Sequence, residues 1–309
     1  MNNYPTNLTD NQWKIIEKFV DVQARKRKYP LRSVFNAISY LLKSGCQWRM
    51  LPKDFPPYNT VFYYFSKWKN EGIFEDLFIK IHIYLRVLLG RCECPSLGLI
   101  DSRSVKTSHH VDKCRGIDGN KKIKGRKQHL VVDILGIPLA VVVHEANIHD
   151  SVGAVQVFEN MRYKFPKLAK IIADGGYRGE QLSKTLKATL GCNLEIVLRP
   201  DECPSKFQVL PKRWIVERSF AWLENFRRLT IDYEFYSESS VAMIQLAFCF
   251  LILNYYCPLN LRRCTNIVRD ASKDGVADSF FENQVPNQKQ ELNRRLFSRR
   301  PRRGSISVE

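Results

Sequence analysis

Apolar residues in the first part of the chain recur at intervals of three and four, which is the spacing of amphipathic helices. The run Thr9-Asp10-Asn11-Gln12 has the form of a capping box and predicts the start of a first helix. Pro30 predicts the start of a second helix and Gly45 its end. A fourth helix is predicted over residues 74–89. This region is therefore expected to be all-α.

The third helix of this region combines aromatic and basic residues. We expect Asn59 or Thr60 to cap it, with Phe62, Phe65 and Trp68 facing inward. Its outward residues would be Tyr63, Tyr64, Lys67 and Lys69. Short helices with such a third member are typical of a helix-turn-helix-like module that lays one helix into the major groove of DNA. The alternative is a helical bundle whose lysines form a solvated face.

From Leu97 onward the pattern changes to short apolar runs, which predict strands. The first strand carries Asp101, and a hairpin that turns at Leu135-Gly136 follows it. Asp150 or Ser151 is expected to cap the next helix. Strands and helices then alternate over residues 168–173, 180–190, 193–198 and 213–223. This order predicts a mixed α/β sheet covered by helices, with ligands at the carboxyl ends of its strands.

Three acids stand where apolar runs end or meet basic residues. Asp101 follows an apolar run, Asp174 precedes two glycines at the end of another, and Glu217 lies in a segment with helical apolar spacing. Each acid alone is explained as a turn former or a surface residue. Together, converging carboxylates would repel one another unless a divalent cation joined them. Such a site activates an oxygen nucleophile for phosphoryl displacement.

A basic loop containing glycines lies between Asp101 and the hairpin. It suits contact with phosphates, because lysine and arginine neutralise them without reading sequence. An ordinary solvated loop is the alternative. The basic residues in and beside this loop that we predict to bind DNA are Arg103, Lys106, Lys124, Arg126 and Lys127.

Composition points to the same partner. The 309 residues carry a formal net charge of +18, which favours a polyanion, and nucleic acid ahead of anionic membrane. No apolar run is expected to span a membrane, and residues 241–256 predict a buried helix. The nine cysteines show no zinc or disulfide spacing and are interpreted as core residues, with a regulatory thiol as the alternative.

Several motifs in order resemble a bacterial DDE transposase of insertion-sequence family five, whose catalytic domain is RNase H-like and similar to that of retroviral integrases. The matching stretches are Ile100-Asp101-Ser102-Arg103-Ser104-Val105-Lys106, Lys124-Gly125-Arg126-Lys127, Ala146-Asn147-Ile148-His149-Asp150, Ala173-Asp174-Gly175-Gly176-Tyr177-Arg178-Gly179 and Arg213-Trp214-Ile215-Val216-Glu217-Arg218-Ser219-Phe220-Ala221-Trp222-Leu223. The resemblance covers residues 8–261. It implies a helical DNA-binding leader domain over 1–94 and an RNase H-like domain over 95–262.

The resemblance also implies roles for individual residues. Asp101, Asp174 and Glu217 would be the catalytic acids and would bind Mg²⁺ or Mn²⁺, as two ions. Arg213, one helical turn before Glu217, would contact a DNA phosphate. Tyr177 and Arg178 are further substrate candidates, with turn packing as the alternative for the tyrosine. The wider clan has a tyrosine and a lysine seven residues on either side of the glutamate. Here those positions are Leu210 and Glu224.

The function implied is binding of the terminal inverted repeats and target DNA, followed by strand cleavage and strand transfer. We expect a homodimer or larger assembly on DNA, acting in the bacterial cytoplasm at the nucleoid and not at a membrane. Residues 263–309 are polar and basic and predict a disordered tail. Two alternatives remain: an RNase H-like nuclease that does not join strands, and an inactive, transposase-derived DNA-binding protein.

Overall fold

The computed structural model describes residues 4–20, 26–111, 113–198 and 212–256, so the predicted tail lies outside the described residues. Within these ranges helices precede and then alternate with strands, as the pattern predicts. The helices are α1 (Asp10–Val20), α2 (Leu31–Ser44), α3 (Tyr58–Asn70), α4 (Ile73–Leu88), α5 (Asp150–Met161), α6 (Glu180–Leu190), α7 (Trp214–Glu224) and α8 (Ser237–Tyr256). The strands are β1 (Leu97–Lys106), β2 (Gly116–Asp118), β3 (Ile123–Val132), β4 (Pro138–Glu145), β5 (Lys170–Ala173) and β6 (Asn193–Ile196).

Local signals set the ends of the first two helices. The Thr9 backbone N–H donates to Gln12 Oε1 at 2.9 Å and the Gln12 N–H donates to Thr9 Oγ1 at 3.3 Å, which confirms the capping box. Gly45 adopts a φ of 73° after α2, and its N–H donates to the carbonyl of Leu41. This left-handed conformation is costly for other residues and explains the glycine.

Three capping and facing predictions were wrong. Helix α3 begins after Pro57 without a side-chain cap, so neither Asn59 nor Thr60 has that role. Phe62 is 48% exposed, because Val61 takes the inward position beside Phe65 and Trp68. Helix α5 is capped by His149, which accepts a hydrogen bond from the Ser151 N–H, and this leaves Asp150 free for a tertiary role.

The sheet has the order β4-β3-β1-β5-β6, with β2 paired to β3 beside β4. Strands β1, β3 and β4 are antiparallel neighbours, whereas β5 and β6 run parallel to β1. Strand β2 was not predicted, because three residues within a basic loop give no apolar pattern. The remaining order confirms the mixed α/β sheet and places the carboxyl end of β5 beside the middle of β1.

Helices cover both faces of the sheet. One hydrophobic cluster joins the first four helices, α7 and α8 to the face that carries Leu99 and Leu130. The second cluster joins α5 and α6 to the opposite face, which carries Ile100 and Val131. The helices for which the sequence predicts a separate leader domain thus bury their apolar sides in the same cluster as α8.

Helix α8 is the most apolar element. Its segment Ser237–Asn254 is long and hydrophobic enough to cross a membrane, contrary to the prediction that no run is, but 78% of it is buried within the protein. Leu246, Ala247 and Phe248 have no exposed surface. The prediction of a buried helix is therefore confirmed, and α8 is the central helix of the first cluster.

A buried carboxylate links the β3–β4 hairpin to α4. Asp133 accepts hydrogen bonds from the N–H groups of Leu135 and Ile137 in the turn, and it pairs with His82 and Arg86 of α4. Burial acts to raise the pKa of Asp133, but the hydrogen bond from His82 and the charges of His82 and Arg86 outweigh it, and the net pKa is lowered. The turn therefore depends on an ionised aspartate.

This lowered pKa predicts an acid-dependent loss of stability. The contribution of Asp133 is fully present above the unfolded-state pKa of about 4 and is lost as the pH falls through the folded-state value. We expect the free energy of unfolding of Asp133→Asn to fall less between pH 5 and pH 2 than that of the wild type, by about 1.4 kcal/mol per unit of pKa lowering. Urea unfolding at several pH values measures this. Glu195→Gln, which alters an exposed pair with Lys170, should keep the wild-type profile; equal profiles for Asp133→Asn and wild type would contradict the assignment.

Candidate active site

Two of the predicted acids lie side by side on neighbouring parallel strands. The pairing register places Leu97 opposite Lys170 and Leu99 opposite Ile172. Continued by two residues, this register brings Asp101 level with Asp174. Leu99 faces the cluster that contains α7, and side chains alternate along a strand, so Asp101 faces α7 as well. The topology therefore aims Asp101 at the helix that carries Glu217.

Asp174 ends β5 at a tight turn. Its Oδ1 accepts a hydrogen bond from the Gly176 N–H at 2.9 Å, which fixes the carboxylate at the edge of the sheet. A Cβ on Gly176 would lie only 3.1 Å from Asp174 Oδ1 and 3.5 Å from Asp150 Oδ2. The glycine therefore leaves room for two carboxylates beside the turn.

Arg213 connects the second and third acids. Its Nη2 lies 3.2 Å from Asp174 Oδ2 and its Nε lies 3.4 Å from Glu217 Oε1. Arg213 immediately precedes α7, so the pair with Glu217 has the spacing of one helical turn. The guanidinium thus lies between the acid that follows β5 and the acid of α7. The sequence spacing predicts its position one helical turn before Glu217, but the predicted partner was a DNA phosphate.

The same charges act on Asp101. Burial raises its pKa to about 6, against the N–H of Ser102 and the positive charges of Arg213 and Lys121, which lower it. The charge of Asp174 adds to the increase. Asp101, Asp174 and Arg213 therefore share one electrostatic site, in which negative charge is not fully compensated.

The donor set suits a hard divalent cation, because carboxylate oxygens are the ligands that Mg²⁺ and Mn²⁺ prefer. Among the described residues no three His, Cys, Asp or Glu side chains lie close enough to one another to hold one ion. The position of Arg213 gives the physical reason, since its guanidinium supplies the positive charge between Asp174 and Glu217. The three acids suit a divalent cation by their oxygen ligands and their negative charge. In the protein alone, Arg213 supplies positive charge between two of them.

Comparison with known proteins agrees with this geometry. A family model described as "Transposase DDE domain" matches residues 93–252. The chain belongs to the DDE transposase family. A second model, described as "Putative transposase of IS4/5 family", matches residues 8–78. The DDE domain implies an RNase H-like fold, which the strand order and flanking helices bear out. Domains of this family generally act on DNA with divalent metal ions and indicate nuclease or polynucleotidyl transferase activity.

Curated relatives are similar over part of the chain. A Burkholderia cepacia protein described as "Putative transposase for insertion sequence element IS402" is 29% identical over 137 residues, which are 42% of this chain and 64% of that protein. The Sinorhizobium fredii "Uncharacterized protein y4sN" is 26% identical over 117 residues, 37% of this chain and 87% of that protein. The chain thus spans just under two thirds of the length of the first of these relatives.

The side chains of four residues predicted to contact DNA or substrate have partners within the protein, and their contact with DNA stays a prediction. Arg126 has no exposed surface, Lys127 donates to the Ile148 carbonyl and pairs with Asp150, and Tyr177 is buried with its hydroxyl 3.2 Å from His129 Nδ1. Arg103 donates to Gln128 Oε1 and the Phe220 carbonyl, between the sheet and α7. The prediction rested on the charge and polarity of these four side chains. Their enclosure by distant parts of the fold is not visible in the sequence.

The other predicted contacts lie at the surface. Lys106, Lys124, Arg178 and Tyr63 are exposed, and Lys67 is half-buried with its Nζ 3.9 Å from Glu71 Oε1. Tyr63 is 58% exposed on α3, as the helix-turn-helix hypothesis requires. These five side chains are therefore available to a partner, and their contact with DNA stays a prediction.

Asp150 is a further carboxylate near Asp174 that the sequence interpretation did not place beside the predicted acids. Its Oδ1 accepts from Ser102 Oγ at 2.8 Å and lies 3.0 Å from Lys127 Nζ, while its Oδ2 faces the Gly176 turn beside Asp174. The sequence analysis considered Asp150 only as a cap of α5, and so these contacts were not expected. The signal in the sequence that could have indicated it is the family-matching stretch that ends at Asp150. In the structure this fourth carboxylate is paired with the buried Lys127.

Proposed function

We propose that this chain is a transposase that binds the ends of its insertion sequence, cleaves DNA strands there and joins the freed ends to target DNA. The observation that carries the proposal is the set of acids around Arg213: Asp101 and Asp174 level on adjacent strands, and Glu217 connected to Asp174 by the guanidinium. All three acids of the predicted triad are present, and the side chains of Asp174 and Glu217 are 25% and 58% exposed.

Asp101, Asp174 and Glu217 would hold one or two divalent cations, Mg²⁺ or Mn²⁺. When bound, such ions supply activation of an oxygen nucleophile and stabilisation of the leaving oxygen. Asp101 contributes a partly dehydrated carboxylate, whose pKa burial raises to about 6 in spite of the positive charges of Arg213 and Lys121. The half-buried Asp174 is oriented by the Gly176 N–H, so its carboxylate has little freedom to turn away.

Arg213 would bind the phosphate to be cut. A guanidinium presents a planar fork of donors that matches phosphate oxygens. In the protein alone this fork is neutralised by Asp174 and Glu217, so phosphate would compete with these carboxylates for it. Lys121, whose charge also acts on Asp101, adds a second cation beside the scissile strand.

The two chemical steps have the same form. In cleavage, a water oxygen bonds to phosphorus while the bond to the 3′ oxygen breaks, which leaves a 3′ hydroxyl and a 5′ phosphate. In joining, that 3′ oxygen bonds to a target phosphorus, its proton is released, and the target's own 3′ oxygen leaves. Both are in-line displacements, so one set of acids serves both.

The exposed basic and aromatic residues would supply DNA affinity. Helix α3, through Tyr63 and Lys67, is the proposed reader of the terminal repeats, and Lys106, Lys124 and Arg178 are proposed phosphate contacts near the acids. A homodimer or larger assembly would coordinate cutting at the two ends, in the bacterial cytoplasm at the nucleoid. The helical leader over residues 1–94 and the catalytic domain over 95–262 would divide these tasks.

The testing experiment is strand transfer by the purified chain on DNA that carries its own element's ends, with Mg²⁺ or Mn²⁺ and a target plasmid. Joined products are expected, both from intact ends and from ends supplied already cut. Cut ends without joined products would favour the nuclease alternative and overturn the joining step. Binding of the ends without any cleavage in either metal would favour the inactive DNA-binding alternative.

A further inference from the structure

Residues 232–236, here called the aromatic loop, have their polarity reversed relative to an ordinary surface segment. The acids Asp232 and Glu234 face inward and are only 4% and 7% exposed. The rings of Tyr233, Phe235 and Tyr236 face outward and are 43%, 44% and 50% exposed. Burying carboxylates while exposing large aromatic rings is unfavourable for an isolated protein, so this arrangement indicates a contact surface.

Two buried arginines hold the aromatic loop in this orientation. Arg126 Nη1 lies 3.1 Å from Asp232 Oδ2 and donates to the Glu234 carbonyl at 2.7 Å, while its Nη2 donates to the Phe235 carbonyl at 2.8 Å. Arg228 binds the Glu234 carboxylate with Nε and Nη2, each at 2.8 Å. The backbone beneath the exposed rings is therefore fixed, and a partner would not have to order it.

Arg126 also brings the basic loop to the same place. Its Nη2 donates to the Lys113 carbonyl at 2.9 Å and its Nε to the Cys114 carbonyl at 3.1 Å. The Lys113 Nζ lies 5.9 Å from the ring centroid of Phe235 and 5.6 Å from that of Tyr236. Lys69 Nζ lies 5.8 Å from the centroid of Tyr236. Two lysine ammonium groups thus lie beside exposed rings.

We propose that this surface, formed by Lys69, Lys113, Phe235 and Tyr236, binds unpaired DNA bases by stacking. Aromatic faces bind bases of any sequence, and interleaved lysines neutralise the phosphates between them. Because lysine ammonium groups lie at the rings, an anionic strand complements the surface better than an apolar protein face does. The proposal rests on the proposed function only for the source of the unpaired strand.

The position along β1 suits a strand that leaves the catalytic acids. The Asp232 N–H donates to the Lys106 carbonyl at 2.8 Å and the Ser108 N–H donates to the Asp232 carbonyl at 2.9 Å, so the aromatic loop is joined to the end of β1. Thr107 lies six positions after Asp101, about 20 Å away at the usual rise per residue of a strand. Frayed DNA next to a cut would therefore reach this surface within a few nucleotides.

The test measures binding of the full-length chain to single strands by fluorescence anisotropy in EDTA, where no cleavage competes. One probe is a short oligothymidylate, and the other is an abasic oligonucleotide of the same length. We expect the double variant Phe235→Ala/Tyr236→Ala to bind oligothymidylate at least roughly 5- to 150-fold more weakly, the range for losing one stacked base, and the abasic strand unchanged. Lys113→Gln should weaken both and lower the salt dependence.

Matched controls separate stacking from general damage. Tyr163→Ala removes a ring that is 82% exposed and also has a cationic neighbour, Arg162. This variant should bind both probes as the wild type does. Phe235→Tyr/Tyr236→Phe should retain full binding, because both rings remain. Unchanged oligothymidylate binding by the alanine variant, or an equal loss on the abasic strand, would overturn the proposal. If that unchanged binding came with a shift in the oligomeric mass of the variant, the surface would be a protein interface instead.

The outcome is independent of strand transfer. Base stacking in EDTA would persist in a chain that never cuts DNA, so failure of the catalytic proposal leaves this test intact. Conversely, loss of the stacking surface would leave cleavage of pre-frayed ends measurable.

Discussion

Replacement of Glu217 by glutamine is expected to slow strand cleavage by roughly a thousandfold or more, the equivalent of several kcal/mol of transition-state stabilisation. The amide keeps the size of the side chain and removes one negative charge from the proposed cation site. Glu217 has a side chain that is 58% exposed, and its ion-pair partner within the described part of the chain is Arg213, so the fold should not depend on it. Single-turnover cleavage of labelled ends measures the effect.

Asp174→Asn should give a loss of the same order for the same reason. Asparagine retains an oxygen that can accept the Gly176 N–H, so the turn at the end of β5 is expected to form. Both variants should bind end DNA and unfold at wild-type denaturant concentrations. The two substitutions thus separate chemistry from folding.

Glu224→Gln is the matched control, because Glu224 also lies on α7 but its side chain is 70% exposed and 4.0 Å from Arg103 rather than beside Arg213. It should cleave at the wild-type rate. If Glu224→Gln and Glu217→Gln lost activity equally, the effect would belong to the charge of the helix and not to the site. If Glu217→Gln remained fully active, Glu217 would not be a catalytic acid.

Replacement of Arg126 by methionine should destabilise the protein by roughly 3–5 kcal/mol, the cost typical of breaking a buried ion pair from one side. Methionine fills much of the volume but leaves the carboxylate of Asp232 and the carbonyls of Lys113, Glu234 and Phe235 without this donor. Chemical denaturation monitored by circular dichroism measures the free energy of unfolding.

Arg162→Met is the comparison variant. Arg162 pairs with Glu159 across one helical turn, with both side chains about half exposed, and such a pair contributes at most about 1 kcal/mol. A small stability change for Arg126→Met accompanied by a large loss of DNA affinity would restore the sequence interpretation, in which this arginine binds phosphate. A large stability change with the control unaffected would establish its structural role.

The sequence was most informative where the determining interactions are local. The Thr9–Gln12 capping box, the end of α2 at Gly45 and the bounds of α6 all follow from residues within a few positions of one another. The placement of Asp101 and Asp174 is nearly as local, because each follows its own apolar strand. Their interpretation as two acids of one catalytic site came from the order of several motifs along the chain.

Predictions failed where burial is decided by distant residues. Lysine and arginine patterns cannot distinguish a solvated charge from one that meets a buried acid, and Arg126 meets Asp232 across 106 positions of sequence. Val61 packs inward where Phe62 was expected to, because α3 packs according to its neighbours, not its own spacing alone. Asp150 has its partners on β1 and β3, which are distant from it along the sequence.

The sequence by itself determined the family and the order of the predicted helices and strands, and it supplied the three acids as candidates, since periodicity, turn residues and ordered motifs are written in consecutive positions. Only the tertiary structure decided which charges face inward. It enclosed Arg126 and Lys127, turned Asp232 and Glu234 toward buried arginines, and left Phe235 and Tyr236 exposed. The physical reason is that a buried charge is stable only beside a specific partner, and the fold alone brings such partners together.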